Sequence, residues 1–151
     1  MANPSRAKGT AKETAAARWL QANGWPECER QPLRGNRDQG DLIVCRGPKV
    51  IAEVKYRAMP VGPRTLDEWL EQTETEAVHA GADLGVLIVA VKGKPPALWD
   101  AYMPAADWAL LTTGDSILTR DAPEPLRATL AGWSRMAWEW ADATLRGESD
   151  E

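Results

Sequence analysis

The amino-acid sequence predicts an α/β fold in which helices flank a mixed β-sheet. Short segments rich in β-branched and apolar residues, typical of strands, alternate with longer segments whose apolar residues recur at helical spacing. The predicted order is α-β-β-β-α-β-β-α, a layered arrangement. The chain has 151 residues, 44% of them hydrophobic, so we expect residues 1–151 to form a single domain around one core.

The first predicted element is a helix over residues 10–22, which Asn23-Gly24 should end. Thr10 is its candidate N-cap, and Glu13 stands at the capping-box position. A short strand is expected over residues 30–34.

A β-hairpin is the next predicted element, after a polar loop over 35–40. Residues 41–46 and 50–56 are rich in β-branched and apolar side chains. Between them, Arg46-Gly47-Pro48-Lys49 is a typical turn sequence.

The second half of the chain alternates predicted helices and strands. In chain order these are a helix capped by Thr65 and ending at Gly81, strands over 84–91 and 97–103, a short helix over 104–111 and a final helix over 125–145. The strand over 84–91 is almost wholly apolar, which is typical of a strand buried on both faces.

The C-terminal helical segment, residues 123–147, is rich in tryptophan. Trp133, Trp138 and Trp140 lie within it. Core packing is one explanation for these side chains. Because tryptophan is enriched at interface hot spots, a dimer interface is the other.

Composition excludes several classes of protein and site. No apolar run approaches the roughly 20 residues of a membrane helix, and no apolar stretch follows the N-terminus, so we expect a cytoplasmic protein without membrane association. Cys28 and Cys45 lack metal-binding spacing and are expected to be free thiols. His79 is the single histidine, which argues against a Ser-His-Asp triad or a histidine-rich zinc site.

The net charge of −4 conceals an uneven distribution along the chain. Residues 1–65 carry 12 Lys/Arg and six Asp/Glu, whereas residues 66–151 carry six and 16. A basic first half is typical of a localised polyanion-binding face, although solvated surface charge produces the same pattern.

Three charged residues of the predicted hairpin should converge on one face. Glu53 and Lys55 are two residues apart on a strand, so their side chains share a face, opposite to those of Ala52 and Val54. Folding the hairpin at its turn places Asp41 across from Glu53 or Val54, where paired Cβ atoms are about 4.5–5.5 Å apart.

Two facing carboxylates repel each other, and a divalent cation would offset that repulsion. Oxygen ligands suit Mg²⁺, and Mn²⁺ can take its place. Asp41, Glu53 and the backbone carbonyl of Val54 are the candidate ligands, with Lys55 placed to hold an attacking water or a phosphate. The alternative is a surface hairpin with a cross-strand salt-bridge cluster. The apolar neighbours of these charges favour a functional site.

The residues Gly40-Asp41, eleven further residues and then Glu53-Val54-Lys55 resemble the motif of the PD-(D/E)xK nuclease superfamily, with glycine where that motif has proline. Residues 8–110 are similar to the archaeal-type Holliday junction resolvases in the order of their elements. The resemblance implies a restriction-endonuclease-like fold and a homodimer that nicks four-way DNA junctions, with residues 123–147 available for dimerisation.

The resemblance also implies roles for individual residues. Asp41 and Glu53 would bind metal, Lys55 would be catalytic, and Glu13 would join the site from the first helix unless it only closes a capping box. A serine of the family's polar loop has no match here, and Asn36 is the nearest polar candidate. Gln72 lies on the helix after the E-x-K strand, where several related nucleases use a glutamine near the site; the polarity of a surface helix is the alternative explanation. Candidate DNA-phosphate contacts are the basic residues Arg6, Lys8, Lys12, Arg34, Arg37 and Arg57.

Three alternative functions stay open at this stage. One is another PD-(D/E)xK endonuclease, restriction-like or acting in repair. The second is a non-catalytic DNA-binding protein of the same fold, against which the presence of all three motif residues argues. The third is a nuclease that acts on RNA.

Overall fold

A six-stranded sheet organises the chain in the computed structural model, which describes residues 4–31, 41–114 and 125–149. The elements in these ranges are, in chain order, α1 (Pro4–Ala22), β1 (Glu29–Arg30), β2 (Leu42–Arg46), β3 (Lys49–Arg57), α2 (Pro63–Ala80), β4 (Leu84–Val91), β5 (Asp100–Pro104), α3 (Ala105–Thr113), β6 (Pro125–Thr129) and α4 (Leu130–Ser149). The spatial order of the strands follows their order in the sequence.

The sheet is mixed, because β3 and β4 run parallel while every other neighbouring pair is antiparallel. α2 forms the crossover that a parallel pair requires. The predicted α/β fold, a mixed sheet flanked by helices, is therefore confirmed. None of the helices within the described ranges combines the length and the apolar character that crossing a membrane demands.

The two faces of the sheet carry different helices. The main core joins α1, α3 and α4 to one face, where Trp133 is fully buried and stacks on Trp25 with ring centroids 6.1 Å apart. The indole N–H of Trp25 donates to Oγ of Ser134 at 2.8 Å. α2 packs on the opposite face, where Leu70 meets Leu87 and Val89 in a smaller cluster.

Two helices begin earlier than their predicted caps. α1 begins at Pro4 and α2 at Pro63, so Thr10 and Thr65 lie inside helices and cap neither. Proline is favoured in the first turn because its missing N–H would have no intrahelical partner there. The predicted end of α2 at Gly81 is confirmed, since this residue adopts the left-handed conformation at φ 64°.

The prediction of a helix over residues 125–145 is wrong at its start. Residues 125–129 form the edge strand β6 and pair with β5, and α4 begins only at Leu130. Residues 123 and 124 of the predicted C-terminal helical segment lie outside the described residues. Of the tryptophans on α4, Trp138 is 44% exposed, whereas Trp133 belongs to the core.

Smaller differences concern three other elements. β1 covers Glu29–Arg30 instead of 30–34, and residues 32–40 are not among those described. β5 begins at Asp100, because a 3₁₀ turn over Pro96–Leu98 occupies the start of the predicted strand. α3 begins one residue later than predicted and ends at Thr113.

Both cysteines are free, as predicted, and Cys28 is buried. Burial raises the pKa of the Cys28 thiol to about 12 and that of Cys45 to about 11. Thiols with such pKa values are poor nucleophiles. His79 lies exposed near the end of α2.

Candidate active site

The register of the hairpin brings Asp41 beside β3. Leu42 pairs with Ala52 and Ile43 with Ile51, so extending the pairing by one residue places Asp41 opposite Glu53. A bulge between Ile43 and Cys45 shifts the register nearer the turn. The arrangement predicted from the turn position is thus the one that the hairpin adopts.

Backbone contacts fix the Asp41 carboxylate directly before the start of β2. The Asp41 N–H donates to the carbonyl of Ala52 at 3.1 Å, and the Val54 N–H donates to Oδ2 of Asp41 at 2.8 Å. In an antiparallel pair, the N–H and C=O of one residue point to the same neighbouring strand. The Val54 carbonyl is therefore directed toward the side on which Asp41 lies.

Glu53 is a buried carboxylate on the face that α2 covers. It is 3% exposed, whereas its neighbours Ala52 and Val54 belong to the core on the opposite face, as strand alternation predicted. Nζ of Lys55 lies 3.5 Å from Oε1 of Glu53. The structure therefore brings together the three motif residues Asp41, Glu53 and Lys55.

α2 contributes two polar side chains that meet Glu53. Nε2 of Gln72 donates to Oε1 of Glu53 at 3.2 Å and to Oε1 of Glu76 at 2.9 Å. Glu76 is 3% exposed. Gln72 was predicted from the sequence but Glu76 was not, although the position of Glu76 four residues after Gln72 on a helix was the available signal.

A glycine on β4 allows α2 to approach the sheet closely. A Cβ atom on Gly85 would lie 2.9 Å from Cβ of Ala77, a distance at which one of the two would have to move. Ala77 directly follows Glu76. The close approach of the helix therefore helps to hold Glu76 and Gln72 against Glu53.

Burial and neighbouring charge make ionisation of Glu53 unfavourable. Desolvation raises the pKa of Glu53 most, followed by a hydrogen bond with the Glu76 carboxyl and the negative charges of Asp41 and Glu76. Lys55 lowers the pKa by a smaller amount. Without a cation, Glu53 therefore holds a proton well above the pH at which an ordinary glutamate loses it.

The donor set fits a hard divalent cation. Oε2 of Glu53 is buried and no described group donates a hydrogen bond to it, whereas Oε1 already receives one from Gln72. Among the described residues, no cluster of three or more His, Cys, Asp or Glu side chains is arranged to hold a metal. An ion here would depend on two carboxylates, a backbone carbonyl, water and substrate phosphate, which is the usual environment of Mg²⁺.

Glu13 and Lys12 of α1 have partners away from Glu53. Oε2 of Glu13 lies 3.0 Å from Nη2 of Arg30 on β1. Lys12 lies over the rings of Tyr56 and Trp99, 5.3 and 5.7 Å from their centroids. Those rings belong to the opposite face of the sheet from Glu53.

The other basic candidates are described only in part. Arg57 pairs with Asp100 at 3.0 Å on β5, a carboxylate that sequence analysis did not single out. Arg6 and Lys8 lie in α1, but their side chains fall outside the description. Arg34, Asn36 and Arg37 lie outside the described residues.

No family model, curated protein or solved structure matches this chain. The membership of the PD-(D/E)xK superfamily therefore stays a prediction from the motif.

Proposed function

We propose that the chain is a Mg²⁺-dependent DNA endonuclease with a restriction-endonuclease-like fold. The observation that carries the proposal is the convergence of Asp41, directly before β2, with Glu53 on β3, where Nζ of Lys55 lies 3.5 Å from Oε1 of Glu53. Two carboxylates and one ammonium are the groups that metal-assisted phosphodiester hydrolysis requires.

The burial of these charges argues against a surface salt bridge. Lys55 supplies one positive charge, yet the Glu53 carboxyl lies close to those of Asp41 and Glu76. Burying several carboxylates with a single cation is costly unless protons or a further cation compensate. A cross-strand ion pair that only stabilised the fold would not need more carboxyl groups than cations.

Each residue of the candidate active site has a definable part in hydrolysis. Asp41, Glu53 and the Val54 carbonyl would hold the ion, and Gln72 orients Glu53 by donating to Oε1, which leaves Oε2 for the ion. When bound, Mg²⁺ lowers the pKa of water and neutralises charge that develops on the phosphate. The Lys55 side chain is 26% exposed, so its ammonium can reach an attacking water or a phosphate oxygen.

The four-way DNA junction is the proposed substrate, and a homodimer the proposed active form. The similarity of residues 8–110 to Holliday junction resolvases supports both. On α4, Trp138 and Leu145 are 44% and 50% exposed, and they offer apolar area for an interface between two copies. Paired nicks in a junction require two active sites, which a homodimer supplies.

The test is incubation of the purified protein with labelled four-way junction, duplex, flap and single-stranded DNA, with and without Mg²⁺. Paired symmetrical nicks in the junction, only with Mg²⁺, are expected. Cleavage of duplex or flap DNA instead of the junction would support nuclease activity but reject the four-way junction as the substrate. Binding without cleavage of any DNA would reject the nuclease in favour of a DNA-binding protein.

A further inference from the structure

Asp100, at the start of β5, is a buried carboxylate outside the candidate active site. It is 6% exposed. Arg57 donates to its Oδ2 through Nε at 3.3 Å and Nη2 at 3.0 Å, and Nη1 of Arg127 lies 3.6 Å from Oδ1. A single carboxylate thus connects guanidinium groups on β3 and on the edge strand β6.

Strand pairing puts this cluster on the same face of the sheet as the candidate active site. Directly paired residues on neighbouring strands form rows across the sheet. Asp100 lies in the same row as Lys55, and Arg127 in the same row as Glu53. Residues in one row point to the same face. Neighbouring strands are about 4.8 Å apart, so the backbones of Glu53 and Arg127 are about 14 Å apart across three such spacings.

Arg127 is held at one end and open at the other. Its side chain is 59% exposed, whereas that of Arg57 is 19% exposed. Burial raises the pKa of the Tyr102 hydroxyl and the neighbouring Arg127 opposes that rise, so a second side chain of β5 lies beside the guanidinium. Because a guanidinium carries five N–H donors, Arg127 keeps donors for a ligand from solvent.

The charge of the cluster is not balanced within the described part of the chain. Arg57 and Arg127 share Asp100, and no second carboxylate joins them there. The surplus is one positive charge at the exposed end of the cluster. A planar guanidinium restrained by neighbours is well suited to a phosphate oxygen.

We infer that Arg127, positioned by Asp100 and Tyr102, binds a backbone phosphate of the DNA beside the active site. The inference rests on the proposed function in that the polyanion is taken to be DNA. Phosphate contacts set the register of a protein on DNA and carry no sequence information. Arg127 would therefore strengthen binding to all DNA shapes alike.

The test is the salt dependence of binding to a labelled duplex in EDTA, where no cleavage can occur. For Arg127→Gln we expect roughly tenfold weaker binding at about 0.1 M salt, and a log–log salt slope smaller by about 0.9. Arg127→Lys keeps the charge and should keep most of the slope. Arg135→Gln is the matched control, since Arg135 is 85% exposed on α4 and should leave the slope unchanged.

The result that overturns the inference is a salt slope in Arg127→Gln equal to that of the parent, or a parent that does not bind DNA. Cleavage is scored separately for the parent. Loss of affinity in Arg127→Gln with no cleavage by the parent supports the phosphate contact and rejects the nuclease. Cleavage by the parent with an unchanged salt slope in Arg127→Gln supports the nuclease and rejects the phosphate contact.

Discussion

The backbone N–H of Val54 donates a hydrogen bond to Oδ2 of Asp41 at 2.8 Å. A side chain therefore continues the pairing of the hairpin where β2 begins. Because the backbone of β3 holds Asp41, its carboxylate is fixed close to Glu53, which also lies on β3. Their repulsion is built into the hairpin, and it explains why the site should respond to pH and to cations.

Glu53→Gln should remove a pH dependence of stability in the metal-free protein. The pKa of Glu53 is raised above its ordinary 4.5 in the folded state, so the folded protein holds this proton more tightly than the unfolded chain. The resulting stabilisation is complete below about pH 4.5 and is lost as pH rises toward the raised pKa, at up to about 1.4 kcal/mol per pH unit. Urea unfolding in EDTA from pH 5 to pH 9 measures the slope.

Glu71→Gln is the control for this experiment, because Glu71 is an exposed carboxylate on α2. It should keep the slope of the parent. A slope in Glu53→Gln as steep as that of the parent would show that Glu53 does not hold the proton.

Mg²⁺ should raise the melting temperature of the parent, because a ligand that binds only the folded state stabilises it, by about 2.7 kcal/mol at a concentration 100 times its Kd. Asp41→Asn should lose most of this effect. The effect should also weaken as pH falls, since the ion must displace the proton of Glu53. Thermal melts with and without Mg²⁺ provide the measurement, with the exposed Asp67→Asn as control. An equal shift in Asp41→Asn and in the parent would place the ion elsewhere.

Glu76→Gln should make Mg²⁺ binding less dependent on high pH. A hydrogen bond with Glu76 and the charge of Glu76 both raise the pKa of Glu53, so the variant should lower that pKa and ease proton loss. Calorimetric titration at several pH values should show the midpoint of Mg²⁺ affinity moving to lower pH. Glu74→Gln, exposed two residues earlier, should leave the midpoint in place. A midpoint that moves to higher pH in Glu76→Gln would contradict this account.

Asp100→Asn should destabilise the fold. Its carboxylate is the common partner of Arg57 and Arg127, and removing one partner of a buried ion pair costs about 3 kcal/mol or more. We expect Asp100→Asn to lower the free energy of unfolding by about 3 kcal/mol, the lower end of this range, since Arg57 is partly exposed. Chemical denaturation compares it with Asp142→Asn, which removes a helical i,i+4 pair with the exposed Arg146 worth about 0.3–0.5 kcal/mol. An equal loss of unfolding free energy in the two variants would show that Asp100 does not position the two arginines.

The sequence predicted the parts of the fold that depend on local patterns. The hairpin of β2 and β3, the buried strand β4 and the end of α2 at Gly81 follow from alternation, apolar runs and a left-handed cap. Strand β6 could not be recognised in this way. Residues 125–129 form a short edge strand with mixed polarity, and pairing with β5 alone makes it a strand.

Strand pattern and turn position predicted the candidate site only as far as one hairpin extends, whereas Gln72 of α2 was predicted from the family resemblance. Glu53 and Lys55 lie on β3 and Asp41 directly precedes β2, so the turn between the two strands fixes their register. Glu76 reaches the site through the packing of α2, and Asp100 meets Arg57 across 43 residues of sequence. No local pattern encodes contacts that depend on how distant elements pack.

The most direct test of the metal-dependent nuclease is cleavage of a labelled four-way junction in Mg²⁺ by the parent, Asp41→Asn and Glu53→Gln. We expect paired nicks by the parent, and none by either variant although both still bind the junction. Asp67→Asn should cut like the parent. Cleavage by Asp41→Asn or Glu53→Gln at the rate of the parent would contradict the assignment of the active site.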